Sequence, residues 1–246
     1  MLYLIGTPIG NLEDISLRAL RTLKECDYVL AEDTRISRRL FDKYEITTRL
    51  ISFHQFSEHE REAGVIRDLL SGKNIGLISD AGMPAISDPG EKLVERCREE
   101  GIPTTVIPGP SAVTSAMSLY GDTEGKPFQF VGFLPKKGQR PLVAQIAFYD
   151  GISILFESPH RVGKTLSLFP DDLKVVVIRE ITKIYEEVIT GTPLSLKDRE
   201  YRGECVILIR GEPKQELSEK HIHFLQEKLS LSDKDTFKIL AKLFAE

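Results

Sequence analysis

Five short apolar runs, at residues 2–5, 28–31, 50–53, 75–79 and 104–107, alternate with amphipathic stretches near 16–25, 37–44, 58–70, 91–100 and 111–117. The runs are too short for buried helices, and the stretches between them carry apolar residues at helical spacing. A chain that returns to one sheet through a helix each time builds parallel strands covered on both faces. The expected first half is therefore a Rossmann-like, mostly parallel α/β layer.

Each run ends in small or polar residues. Gly6-Thr-Pro-Ile-Gly-Asn11 follows the first and Ala31-Glu-Asp-Thr-Arg35 the second; residues 53–57 follow the third. Ser79-Asp-Ala-Gly-Met-Pro-Ala-Ile-Ser-Asp-Pro-Gly90 follows the fourth, and Pro108-Gly-Pro-Ser111 the fifth. In a parallel sheet all these loops leave at the same edge, where open α/β sheets hold their ligands, so that edge is the candidate site. Periodicity lapses over residues 120–127, which read as a connector. Beyond it, strands are expected near 128–133, 152–156, 173–178, 186–189 and 204–209, with helices at 138–148 and 160–169. Several of these connections are too short for a parallel crossover, so the second sheet is expected to be mixed. Residues 218–229 and 233–245 carry apolar residues at helical spacing and read as a helical hairpin. The expected divisions are thus 1–120, 121–213 and 214–246.

A net charge of −4 gives no global electrostatic footprint of a nucleic-acid binder. Local cations remain: Arg35, Arg38, Arg39 and Lys43; Lys136, Lys137 and Arg140; His160, Arg161 and Lys164. These are the candidate phosphate contacts. Cys26, Cys97 and Cys205 lie in apolar contexts and read as reduced, buried thiols. No apolar run reaches membrane-spanning length, so no membrane association and a cytoplasmic location are expected. Several signatures fail. Gly163-Lys-Thr165 has Ser158 where a phosphate loop needs glycine, Gly109-Pro-Ser-Ala-Val113 lacks the closing glycine of a nucleophile elbow, and no Gly-x-Gly-x-x-Gly follows the first run. Histidine spacing gives no support for a metal site.

Taken together, Gly6-Thr-Pro-Ile-Gly-Asn-Leu-Glu-Asp14, Ala31-Glu-Asp-Thr-Arg35, the loop from Ser79 to Gly90, Pro108-Gly-Pro-Ser-Ala112, Glu157-Ser-Pro-His-Arg161 and Arg179-Glu-Ile-Thr-Lys183 with Glu186-Glu187 form a recognisable set. The set resembles the tetrapyrrole-methylase-like S-adenosylmethionine-dependent methyltransferases, and within them the ribosomal RNA branch, over residues 1 to about 211. Met83 departs from the small residue common at its position, and this adaptable side chain is expected to pack beside the cofactor. The resemblance implies two α/β domains with a cofactor cleft between them. It implies S-adenosylmethionine held by Pro8, Gly10, Asp80, Gly82, Met83, Ser111 and Ala112, with Ser158, Pro159, Glu204 and Cys205 closing from the second domain. It further implies a homodimer, no metal, and methylation of a cytidine ribose 2′-oxygen in the decoding region of 16S rRNA, within the small ribosomal subunit. Glycine and proline loops suit such a site because they let main-chain groups approach a ligand closely.

Methyl transfer to a ribose hydroxyl is an in-line displacement, so alignment and exclusion of water are the enzyme's main tasks. A group that accepts the hydroxyl proton or stabilises developing negative charge helps further. Asp33 and Arg35, then Glu157 and Arg161, are the expected catalytic residues, although such neighbours at strand ends also serve as ion pairs that fix loops. Two other functions fit the same motifs: a methylase of a tetrapyrrole precursor, and a non-catalytic RNA-binding assembly factor. The signatures at Ala31 to Arg35 and Glu157 to Arg161 favour the RNA branch.

Overall fold

The structure, a computed structural model, describes residues 1–54, 58–86, 88–212, 222–232 and 234–236. The chain divides into two compact units, Met1–Ala112 and Val113–Glu246.

In the first unit, β1 (Leu2–Ile5), β2 (Tyr28–Ala31), β3 (Leu50–Ser52), β4 (Ile75–Ile78) and β5 (Thr104–Ile107) form a sheet in the order β3-β2-β4-β1-β5. Every neighbouring pair is parallel. β2 and β4 are buried at every position, which is why their sequences are continuously apolar rather than alternating. Leu2, Leu30, Ile75 and Leu77 pack with α3 (Glu58–Leu70) and α4 (Glu91–Glu99) on one face. Ile5, Val29, Ala31 and Ile78 pack with α1 (Leu17–Glu25) and α2 (Thr34–Lys43) on the other. The crossover from β1 to β2 and that from β4 to β5 run in opposite directions across the sheet, so their helices take opposite faces. The chain leaving β1 and the chain leaving the adjacent β4 therefore lead to helices on opposite faces, which makes this pair a topological switch point.

Apolar periodicity places the start of the second helix at residue 37, but α2 begins at Thr34. The Asp33 side chain accepts from the Arg35 N–H and caps it, so a polar first turn is helical without any apolar stripe. Arg35 accordingly stands on a helix rather than in a loop.

The second unit takes α5 (Ala112–Tyr120) from Val113 onward. Its strands β6 (Phe128–Phe133), β7 (Ile152–Glu157), β8 (Lys174–Arg179), β9 (Glu187–Gly191) and β10 (Cys205–Arg210) are ordered β6-β7-β10-β8-β9. Only the β6–β7 pair is parallel, so the sheet is mixed. α6 (Arg140–Ala147), α7 (Val162–Leu166) and α8 (Pro193–Leu196) lend Val143, Leu166 and Leu196 to a core shared with Val175, Val177, Ile207 and Ile209. Lys174 and Arg210 are cross-strand partners of like charge. The connector relieves that repulsion, because Asp122 pairs with Lys174 and Glu124 with Arg210.

Of the expected helical hairpin, residues 213–221, 233 and 237–246 lie outside the described residues. The described part includes a short π-helical turn, Phe224–Lys228. Phe224, Leu225 and Leu229 are buried in the second unit's core, with Phe224 edge-on to Phe148 at 5.9 Å between ring centroids. The apolar spacing thus serves the sheet's core. Phe224→Ala is expected to cost about 3–5 kcal/mol of stability in chemical denaturation, as truncation of a buried aromatic does; a loss below about 1 kcal/mol would show that this turn does not hold the core together.

Candidate functional site

At the carboxyl edge of the first sheet, three loops are fastened main chain to main chain. The Thr7 N–H donates to the Gly82 carbonyl at 2.9 Å and the Gly82 N–H to the Thr7 carbonyl at 3.1 Å, an isolated antiparallel bridge joining the β1 and β4 loops. The buried Thr7 hydroxyl lies 3.1 Å from the Ser79 carbonyl and 3.3 Å from that of Gly82. The β5 loop closes from the other side. A Cβ on Gly6 would stand 2.7 Å from Gly109 Cα and 2.7 Å from Met83 Sδ, and one on Gly109 would stand 2.8 Å from the Gly6 carbonyl carbon. Only hydrogens fit between these two residues. Pro8 and Gly82 are buried, Asp80, Met83, Ser111 and Ala112 are half-buried, and Gly10 is exposed. Met83 thus covers the glycine contact.

The β2 loop joins this cluster through polar groups. The Asp33 N–H donates to Asp80 Oδ1 at 3.0 Å. The Asp33 carboxylate, besides capping α2, receives Arg35 Nε at 3.0 Å and Nη2 at 2.6 Å. The Arg35 side-chain hydrogen bond, with the capped amide, holds the Asp33 carboxyl down at about 2. The Arg35 side chain is itself 89% exposed.

Glu32, Asp80 and Asp88 shift the opposite way. Burial is the main cause for all three, and it brings Asp88 to about 6. Neighbouring carboxylates add to it: Asp80 acts on Glu32, and Glu32 on Asp88, where a Ser79 hydrogen bond partly offsets the rise. An edge with this many reluctant anions favours a cationic group. The sequence pointed to Asp80 but not to Thr7 or Asp88. Each of those two reads locally as a turn residue, and only the β1–β4–β2 neighbourhood gives them a common site.

In the second unit Glu157 ends β7 and is 3% exposed. Its Oε1 accepts from the Ser158 N–H at 2.9 Å, its Oε2 from the Thr165 hydroxyl at 2.7 Å, and Arg161 Nη1 lies 3.4 Å away. Arg161 also donates to the Leu134 carbonyl at 3.2 Å. These two residues therefore hold the turn through half-buried Ser158 and Pro159 against α7 and the β6 loop. Cys205 is the cross-strand partner of Glu157, so the Ser158 and Glu204 segments lie at the same end of neighbouring strands. Burial pushes the Cys205 thiol up to about 11. Glu180 Oε1 receives the Glu204 N–H and Lys183 Nζ, each at 2.9 Å, and Lys183 also reaches Glu204 at 2.9 Å. Gly203 has φ +76°, which a side chain would strain, and a Cβ there would stand 2.3 Å from Glu180 Oε1 and displace that carboxylate.

Residues 1–196 match the family model of tetrapyrrole (corrin/porphyrin) methylases. The chain is 45% identical over 194 residues to the ribosomal RNA small subunit methyltransferase I of Thermotoga maritima, which covers 77% of this chain and 87% of that protein. It is 42% identical over 220 residues to the protein of the same name from Halalkalibacterium halodurans, covering 85% and 75% respectively. The crystal structure of diphthine synthase has the same fold, with a TM-score of 0.68 at 17% identity over 92% of this chain and 94% of that one.

Asp88 binds its proton more tightly in the folded chain than in the unfolded one. Between about pH 4 and 6 the folded state therefore holds more protons, and stability falls as pH rises through that window. Asp88→Asn removes this dependence. Its denaturation free energy is expected to gain on the wild type from pH 4 to pH 7, whereas parallel profiles would show that Asp88 titrates alike in both states.

Proposed function

The chain belongs to the tetrapyrrole (corrin/porphyrin) methylase family, and on that premise we propose that it methylates the ribose 2′-oxygen of a cytidine in the decoding region of 16S rRNA. Its methyl donor is S-adenosylmethionine and its substrate class ribosomal RNA. The substrate form is the small ribosomal subunit, met in the cytoplasm by a homodimer. The observation that carries this reading is the identity of 42% and 45% to two ribosomal RNA small subunit methyltransferases, which extends through both units.

The residues present fit the cofactor. Its sulfonium and ammonium are cations, and Glu32, Asp80 and Asp88 supply the anions whose burial such cations would relieve. The tight contact of Gly6 with Gly109 keeps side chains out of the junction. Pro8, Gly10, Asp80, Gly82, Met83, Ser111 and Ala112 would hold it on the first unit. Once bound, it supplies an electrophilic methyl group.

Arg35, aligned by Asp33 and otherwise exposed, is the group that meets phosphate or the charge developing on the acceptor oxygen. Asp33 is a positioning residue, because a carboxyl held near 2 is a weak base. Glu32, on the same loop and raised in proton affinity, suits the role of proton acceptor. Glu157 and Arg161 position the Ser158 turn rather than touch substrate. The exposed Arg38 and Arg39 on α2 extend the phosphate contacts.

Labelled S-adenosylmethionine, incubated with unmethylated small subunits, naked 16S rRNA or a tetrapyrrole, is expected to label a cytidine ribose in the subunit. Label confined to the tetrapyrrole would overturn the proposal, and no label anywhere despite cofactor binding would favour an assembly factor. Arg35→Ala is expected to cut methylation by about tenfold or more, as loss of a charge-stabilising donor does, with cofactor affinity unchanged. An equal loss of both would move Arg35 to a structural role.

A further inference from the structure

Phe133 closes β6 and is 61% exposed. A bulge between Phe130 and Gly132, where Gly132 has φ +74°, inserts one residue into the pairing with β7. Phe130 and Phe133, three residues apart, therefore oppose Ile154 and Phe156 and share one face of the sheet, which a regular strand forbids. Phe156 braces both rings edge-on, at 4.9 Å from Phe130 and 5.7 Å from Phe133. The exposed Lys136 and Lys137 follow, and among the described residues neither has an ion-pair partner. The Arg161 bond to Leu134 ties this loop to the turn that carries exposed His160, with exposed Lys164 on the helix behind it. A second exposed aromatic, Tyr185 at 72%, lies instead beside Glu186 and Glu187, which would repel a phosphate chain.

We propose that Phe133 is a substrate-positioning residue that stacks on an unstacked nucleobase of the RNA, while Lys136 and Lys137 take the adjoining phosphates. This rests on the RNA reading above. A braced aromatic face among unpaired lysines is the usual platform for single-stranded RNA, because every base offers a π-face to stack on.

The test uses unmethylated small ribosomal subunits and the intact protein. Phe133→Ala and Phe133→Leu are expected to raise KM for the subunit about tenfold, with kcat and the KM for S-adenosylmethionine unchanged, and Phe133→Tyr to restore it. The leucine variant keeps an apolar contact to Phe156 but offers no π-face. The chain contains no tryptophan, so Phe133→Trp provides a single indole whose fluorescence a single-stranded oligocytidylate is expected to quench, with or without turnover. KM values within about twofold of wild type, or an unquenched indole, would overturn the proposal. So would a changed sedimentation coefficient in Phe133→Ala, which would make the ring a contact between copies of the chain. Failure of the wild type to label any RNA, with quenching intact, would sink the methylation reading and leave the stacking site standing.

Discussion

The first unit depends on one contact in which side chains have been removed so that backbones can meet. Gly6 and Gly109 approach so closely that a single methyl on either would collide with the other's main chain. The reciprocal bonds of Thr7 and Gly82 secure the opposite side of the same loop. Because β1 lies between β4 and β5, fastening its loop to both neighbours holds these three loops together at the carboxyl edge. The two flanking helix pairs support this edge from opposite faces.

On that rigid edge the carboxylates divide into two kinds. Asp33 is solvated, hydrogen-bonded to a guanidinium and firmly ionised. Glu32, Asp80 and Asp88 sit in drier surroundings; Asp80 raises the proton affinity of Glu32, and both of these raise that of Asp88. Chain proximity does not create the contrast, since Glu32 and Asp33 are adjacent in sequence. The strand end turns one inward and hands the other to the first turn of a helix, where it serves as a cap. One loop thereby presents both a pinned cation and a reluctant anion, the pair that charge development at a hydroxyl calls for.

Much of this was legible from the chain alone. Strand and helix alternation gave the parallel layer, and the polar ends of the strands gave the loops of the candidate edge. What escaped depended on lateral order within the sheet. Thr7, a β-branched residue between glycine and proline, reads as part of a turn until β4 is known to lie beside β1. Asp88 reads as a turn residue ahead of a helix until β2 is known to flank β4. The start of α2 was displaced because capping leaves no apolar stripe. Glu157 reads from the chain as a candidate catalytic carboxylate, and its bonds to the Ser158 N–H and the Thr165 hydroxyl come into view only with the fold. In the tail, helical spacing at Ile222, Leu225 and Leu229 was visible, but the destination of Leu225 and Leu229 in the second core, with Phe224 beside them, was not.

The placement of β10 has a consequence for the order in which the molecule is made. Among the described residues, the last strand in sequence occupies the middle of the second sheet, between β7 and β8. Until it emerges, both of those strands expose an open edge, rich in Val and Ile, of the kind that invites pairing with other chains. The first unit has its five described strands by Ile107 and can close during synthesis, whereas the second must wait for Cys205–Arg210. Vectorial synthesis thus gives the two units unequal exposure to aggregation. The match to the family model ends at residue 196, before β10 begins, so the residues that model recognises stop short of the strand that completes the second sheet.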